Sequence, residues 1–452
     1  MSMFSLDRAA GDDTARLVHV PSSKPETQRA LLIASLAEGT SRIYNDLRCQ
    51  ETDTMIAACE NIGAKIRRHD GYAEVTGVGG RRTSARSPII QASGSGLVFR
   101  TFAAIASAIE GITVITGDAT LRNRVMSPLI ASLRDLGAEI SHIAEDGRAP
   151  IVVLGDRLEG GVTTVPGNIS SQFITALLLA APLARKPTTI RVTGTILSQS
   201  YIRQTLTAMR HAGAAVDCTD DFRTFRVEPG AYRAVDTVIS GDYTSASYLL
   251  AATALFEGRY TLRNMSEESL QGERAIVDIV RRLGLQLAFD ERDQTLTVVN
   301  GGRGVLKGDF HFDTSDCPNI IPTLAAIGAF VDGTFKVTGG SITRLHKSPR
   351  IQAMIAELTK LAVDIEPIFD GDVLDGFLIR GDGADPEGGV ELSSWGDHRI
   401  FMSLYIATAK CRHGNRLPGG DSVVCSFPGF FDAFGALTNG TAPAAAELVS
   451  AT

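Results

Sequence analysis

The sequence holds a single tryptophan, only 6% aromatic residues, and no Cys-x-x-Cys pair or His-rich companion among its six cysteines. Cys49, Cys59, Cys218, Cys317, Cys411 and Cys425 are scattered singly, so neither a zinc site nor a disulfide framework is indicated, and they read as buried or idle thiols. A basic excess is also missing. Lys+Arg 44 against Asp+Glu 51 gives a net charge of -7, which argues against a general nucleic-acid binder, so any anion site has to be built locally. Long apolar runs are missing too: the longest, such as Phe173 to Ala184, fall short of the ~20 residues a membrane helix needs. Met1 to Ala15 has no apolar signal core. The expectation is a cytoplasmic protein with no metal, no membrane and no nucleic-acid partner.

What is present is ordinary globular composition, 44% hydrophobic and 21% charged over 452 residues, enough for two or three domains. The chain also repeats itself. A helix-like run ends in a small residue followed by a short alternating segment at Gly63, Gly137, Gly213, Gly284, Ala362 and, more weakly, Gly435, with spacings of 74, 76, 71, 78 and 73 residues. A turn residue followed by an alternating strand keeps the same beat at Gly39, Gly111, Pro187, Gly258 and Gly333, with spacings of 72, 76, 71 and 75. A small residue after a helix supplies a left-handed cap, and period-two alternation supplies a half-buried strand. Units of this length exceed a solenoid repeat and read as compact α/β subdomains.

Six units fill the chain. The sixth is incomplete, with Ala442 to Thr452 a small-residue tail, so N-terminal residues are expected to complete it by pairing back. This predicts an α/β protein with one domain of residues 21–236 inserted into another made of residues 1–20 and 237–452, each carrying three repeated units.

Polar residues gather at the starts of predicted helices, where free backbone N–H groups and the helix dipole favour anions. Ser22-Ser23-Lys24-Pro25-Glu26-Thr27-Gln28-Arg29 leads into the apolar run Ala30 to Leu36, and Lys24 and Arg29 are unfavourable there unless an anion binds. Gly167-Asn168-Ile169-Ser170-Ser171-Gln172 precedes Ile174 to Ala181; its serines are either N-caps or, with the amide, a cradle for phosphate. Gly94-Ser95-Gly96 precedes Leu97 to Arg100, and glycine there permits close approach of a ligand. Basic groups recur at equivalent places: Arg122 and Arg124; His346, Lys347 and Arg350; Asp397-His398-Arg399. Together they suggest convergence on one anion-rich cleft.

These residues resemble those of the enolpyruvyl transferases, specifically the 5-enolpyruvylshikimate-3-phosphate (EPSP) synthase family. The similarity runs from about Val20 to Phe431 in order. Its marks are Ser23-Lys24 with Arg29, Gly96 with Arg100, Arg124, Ser170-Ser171-Gln172, Ser198 with Tyr201, the run Gly241 to Tyr248, Asp316-Cys317-Pro318 and Asp397-His398-Arg399. The resemblance implies two domains of three repeated units, hinged by two chain crossings, with the active site in the cleft between them. It implies transfer of the enolpyruvyl group of phosphoenolpyruvate (PEP) to an acceptor hydroxyl by addition and elimination, without metal or organic cofactor, in a monomer.

By the same resemblance, Ser170, Ser171 and Ser198 hold the acceptor's phosphate, with Gln172, Tyr201 and Arg29 around the rest of it and Lys24, Asn319 and Lys347 beside it. Lys24, Gly96, Arg124, Gln172, Arg350 and Arg399 take PEP, whose phosphate and carboxylate need charge-assisted contacts to leave water. Lys24, Asn319, Lys347 and His398 occupy the catalytic positions. Electrostatic stabilisation of developing charge is the main service such a site provides.

Four departures stand out. The family's acid/base Asp is Asn319, which cannot take a proton at neutral pH. Its Lys-Glu-x-x-Arg run is His346-Lys347-Ser348-Pro349-Arg350, without the Glu; a PEP-contacting Lys is replaced by Cys425; and the Ser after the first Lys is Pro25. Since acid/base catalysis is typically worth about 10²–10⁴-fold, three readings compete. One is a transferase acting on shikimate-3-phosphate or a divergent acceptor such as a nucleotide. Another is an eliminase releasing phosphate or water from a similar ligand without PEP. The last is a non-catalytic binder. The sister family acting on UDP-N-acetylglucosamine fits less well, because its loop cysteine has no equivalent near Leu121-Arg122-Asn123-Arg124.

Overall fold

Gly63, Gly137, Gly213, Gly284 and Ala362 all take left-handed backbone, with φ of 105, 92, 82, 101 and 63°. They follow the helices Gln50–Asn61, Ser127–Asp135, Gln199–His211, Ala275–Arg282 and Arg350–Lys360. Each therefore ends a helix and redirects the chain into a strand, the geometry that glycine tolerates and that alanine adopts at a cost of roughly 1–2 kcal/mol. Gly435 differs. It lies inside the helix Phe430–Thr438, so the sixth site of the pattern is a helix interior and caps nothing. The computed structural model from which these observations come describes residues 16–79, 89–302 and 304–438.

The strands form five four-stranded sheets among the described residues, all built to one plan. The first reads Thr237–Val238, Thr40–Tyr44, Tyr72–Thr76, Lys65–His69; its leading pair is parallel and the other two pairs are antiparallel. Ile89–Gln91 leads Ile112–Thr116, and Gly161–Pro166 leads Thr188–Thr193, in the same parallel sense. Arg16–His19 leads Gly258–Arg263, and Phe310–Asp313 leads Asp332–Thr338. In three of the sheets the leading strand directly precedes, in sequence, the three strands it joins; in the other two it comes from a distant part of the chain.

The two strands nearest the chain crossings are exchanged. Thr237–Val238 precedes the fourth repeat in sequence but pairs with the first (Thr237 opposite Ile43), while Arg16–His19 precedes the first repeat but pairs with the fourth (Arg16 opposite Tyr260). The N-terminal strand thus completes the fourth unit's sheet rather than the sixth's, contrary to the expectation from the sequence. The sixth unit meets it differently: Arg16 Nη1 donates to the carbonyl of Leu437, and two isolated bridges, Gly388 with His413 and Glu391 with Arg416, stand where a sheet would be. The tail Ala442 to Thr452 lies outside the described residues.

The chain divides into two compact units, Ser22–Ile239 and Met1–Pro21 with Ser240–Thr452. Each buries its own core, one running from Leu31 to Ile239 and the other from Val18 to Leu437. Within the first unit the helices Gly96–Ala108 and Ser171–Ala180 pack on each other and are buried along nearly their whole length. In the second, Tyr243–Leu255, Ile321–Gly328 and His398–Thr408 pack mutually and are buried throughout. Helices that are apolar on all sides belong in such positions. Their first turns carry the polar residues singled out in the sequence. Among the described residues no helix is long and apolar enough to cross a membrane.

Candidate active site

In the unit Ser22–Ile239, Ser23 caps the helix Lys24–Leu36, its Oγ accepting from the Glu26 N–H at 3.4 Å, and Pro25 sits in the first turn, where no backbone donor is needed. Lys24 is buried, and its Nζ lies 3.0 Å from Glu51 Oε1 at the start of the helix Gln50–Asn61. The sequence left Lys24 in need of an anion; the fold supplies a carboxylate. Gln28, also buried, donates to the Glu51 carbonyl at 3.3 Å and to Ser95 Oγ at 3.5 Å, and so ties three helix starts together.

Ser95 caps the next buried helix, and Gly96 is that helix's first residue. A Cβ added to Gly96 would fall 2.6 Å from Arg100 Nη1, 2.6 Å from Arg124 Nη1 and 3.1 Å from Gln172 Oε1. Two guanidinium groups and an amide therefore crowd the space that this glycine leaves open. Arg100 Nη1 donates to Gln172 Oε1 at 2.5 Å, while its buried Nε has no hydrogen-bond partner among the described residues. Burial, and then the neighbouring Arg124 charge, push the Arg100 guanidinium down to about 9. A buried guanidinium held against a second one, with a donor unspent, is an arrangement that an anion stabilises.

Ser170 does cap the helix Ser171–Ala180, its Oγ accepting from the Gln172 N–H at 3.3 Å. That bond uses an acceptor lone pair and leaves the hydroxyl proton available. Ser171 is half-buried in the first turn. Ser198 opens the helix Gln199–His211 with φ of 54° and makes no capping bond, so a non-glycine residue holds left-handed backbone without a local structural return. Arg29 is buried and donates to Thr205 Oγ1 at 2.9 Å, to the Tyr201 carbonyl at 3.2 Å and to the Pro25 carbonyl at 2.9 Å, with its guanidinium 5.8 Å from the centre of the Tyr201 ring. Burial lowers it to about 10.

In the other unit Asp397, fully buried, caps the helix His398–Thr408 through an Oδ1 that accepts from the Arg399 N–H at 3.0 Å. Its Oδ2 accepts from Arg350 Nε at 2.9 Å and from Ser348 Oγ at 3.0 Å. Burial alone would raise this carboxyl; Arg350, His398 and the donated hydrogen bonds outweigh it and hold the group well below the usual carboxylate range. Arg350 Nη1 reaches Asn319 Oδ1 at 2.8 Å and His346 Nδ1 at 3.0 Å. Since a guanidinium only donates, His346 Nδ1 is the acceptor and carries no proton in this arrangement. His398 Nδ1 lies 3.5 Å from Asp397 Oδ1, and Arg399 Nη1 lies 3.5 Å from the Tyr248 hydroxyl. Lys347 is half-buried in the loop ahead of Arg350 and makes no ion pair among the described residues.

Of the residues expected from the sequence, Gly96, Arg124 and Gln172 meet, as do Arg29 and Tyr201, and as do Asn319, Arg350, His346 and Asp397. Three contributors were not assigned. Arg100 was noted only as a mark of resemblance. Glu51, partner of Lys24, and Glu273, whose Oε1 accepts from Asn319 Nδ2 at 3.0 Å, carry no local signal. No group of three or more His, Cys, Asp or Glu side chains is placed to hold a metal among the described residues.

Known proteins resemble this chain over nearly its whole length. A profile of the family described as EPSP synthase (3-phosphoshikimate 1-carboxyvinyltransferase) matches residues 10–434. The 3-phosphoshikimate 1-carboxyvinyltransferase of Methanocaldococcus jannaschii is 35% identical over 95% of this chain and 97% of its own. Those of Methanosphaera stadtmanae and Methanothrix thermoacetophila are 34% and 37% identical, each over 92% of this chain and over 95% and 94% of their own. The solved structure of EPSP synthase from Acinetobacter baumannii superposes with a TM-score of 0.78 at 24% identity, covering 95% of this chain and 96% of that one, which bears on the fold alone. The chain belongs to the EPSP synthase family of transferases.

Proposed function

We propose that the protein transfers the enolpyruvyl group of PEP to a hydroxyl of shikimate-3-phosphate, releasing phosphate, and that it does so as a monomer. The observation that carries the reading is the Gly96, Arg100, Arg124 and Gln172 cluster in a chain about 35% identical to curated transferases over nearly its full length. Two guanidinium groups facing one open space suit a small ligand bearing phosphate and carboxylate. Each charge-assisted bond contributes roughly 1.5–3 kcal/mol.

The acceptor hydroxyl gives up its proton as its oxygen bonds to C2 of PEP, while C3 gains a proton. A proton then leaves C3, the C2–O bond to phosphate breaks, and phosphate departs with the electron pair. Gly96, Arg124, Gln172 and Lys24, joined by Arg100, are assigned to PEP, as are Arg350 and Arg399. Ser170, Ser171 and Ser198 are assigned to the acceptor phosphate, Arg29 and Tyr201 to its remainder. Ser198 supports this reading, because its left-handed backbone and a hydroxyl that makes no capping bond make sense if it meets a ligand.

Proton handling rests on a different set from the family pattern. Asn319 can donate to or accept from the acceptor oxygen but cannot take its proton. His398 and Lys347 are the assigned carriers; His346, as arranged, is committed as an acceptor to Arg350. The test is product identification by mass after incubating purified protein with PEP and shikimate-3-phosphate. An enolpyruvyl adduct supports the reading. Phosphate released from shikimate-3-phosphate alone would replace it with an elimination, and an adduct formed only on a nucleotide would change the acceptor.

A further inference from the structure

Asn319 is held by charge at both ends. Its Nδ2 donates to Glu273 Oε1 at 3.0 Å and its Oδ1 accepts from Arg350 Nη1 at 2.8 Å, which leaves the amide a single orientation that satisfies both neighbours. Glu273 is 1% exposed, on the short turn Gly272–Arg274, and Arg350 is 4% exposed. Arg350 continues through Nε to Asp397 Oδ2. The bonds therefore run carboxylate, amide, guanidinium, carboxylate, with donor matched to acceptor at each junction. A carboxylate at position 319 would suit Arg350 but would face Glu273 with no proton between them. Out of water, two like charges at that separation cannot both stay ionised at ordinary cost.

We infer that Glu273 is a positioning residue for the anion-binding Arg350, acting through Asn319, and that positions 273 and 319 form a carboxylate–amide pair in which one member alone can be ionised. Glu273 fixes the amide, and the amide carbonyl fixes the face that Arg350 presents. The link to PEP rests on the assignment of Arg350 in the proposed function; the pairing does not.

The test compares wild type, Glu273→Gln, Asn319→Asp and the double variant in two ways: melting temperature without substrate from pH 5 to 8, and kcat and KM for PEP over the same range. Glu273→Gln keeps an acceptor oxygen for Asn319, so its KM stays within about threefold of wild type. Asn319→Asp places two carboxylates together, and one of them has its folded-state pKa raised above its unfolded value near 4. Stability tied to that shared proton is full at low pH and is lost as pH rises through the raised value. Its melting temperature therefore falls relative to wild type between pH 5 and 8, and its KM for PEP rises by about tenfold or more at pH 8, with kcat moving less.

The double variant exchanges amide and carboxylate and restores the wild-type charge. Its melting profile returns toward wild type and its KM returns to within about threefold of Glu273→Gln. A general structural role for either residue predicts additive losses instead. An Asn319→Asp variant that folds only at low pH, or only with the second substitution, is the same result in stronger form. A flat pH response of Asn319→Asp, or a double variant as impaired as that single one, overturns the pairing. Rescue in melting without any PEP-dependent turnover in wild type would sink the proposed function and leave the pairing standing. Turnover without rescue would do the reverse.

Discussion

Arg350 Nε donates to Asp397 Oδ2 at 2.9 Å, and neither side chain is more than 5% exposed. Removing one member strands a charge in the core of the unit, a loss typically worth about 3–5 kcal/mol. Asp397→Ala should cost that much in urea denaturation, since it also removes the cap of the helix His398–Thr408. Asp397→Asn keeps a capping oxygen and should cost less. The depressed carboxyl adds a pH signature: its stabilisation is present above the unfolded value near 4 and is lost as pH falls toward the lower folded value. The acid limb of stability should therefore be shallower in Asp397→Asn than in wild type.

Gly96→Ala should separate folding from function. Gly96 is a helix residue without left-handed backbone, and alanine is the better helix former. The atoms a Cβ would meet at 2.6 Å are the far ends of two arginines, which can swing aside. The expected outcome is unchanged circular dichroism and melting, with KM for PEP raised by about tenfold or more as the anion cluster is displaced. A large loss of stability with normal KM would contradict the assignment.

Arg124→Ala should weaken PEP binding far more than it weakens the fold. Loss of a charge-assisted partner weakens PEP binding by roughly 100-fold, about 3 kcal/mol. In phosphate-free buffer the same change also removes a like charge beside Arg100, which offsets part of the stability lost with Arg124's own contacts, so the fall in melting temperature is small. Added PEP or inorganic phosphate should raise the melting temperature of wild type and do much less for the variant. A variant that keeps full PEP-dependent turnover would remove Arg124 from the site.

What could be read in advance was whatever is dictated locally. A left-handed cap is a demand on one residue, so Gly63, Gly137, Gly213, Gly284 and Ala362 were legible, and the strands that follow them came with the alternation. Gly435 failed because a glycine near a helix end looks the same whether it ends the helix or lies within it. The two exchanged leading strands were not legible: the partner of Arg16 is Tyr260, and parallel pairing at that separation leaves no sequence signal. The site divides the same way. Serines, glycines and basic residues at helix starts announced themselves, but Glu51 and Glu273 stand in unrelated segments and become partners of Lys24 and Asn319 only through the fold. The sequence showed that the acid at position 319 was gone; it could not show that a buried carboxylate lies one hydrogen bond behind it.

The most direct measurement of the central claim is phosphate release from the purified wild-type protein given shikimate-3-phosphate with and without PEP, run beside mass analysis of the organic product. The account predicts release that requires both compounds, with one enolpyruvyl adduct formed per phosphate. Release from shikimate-3-phosphate alone, or no release with both at saturating concentration, would contradict it.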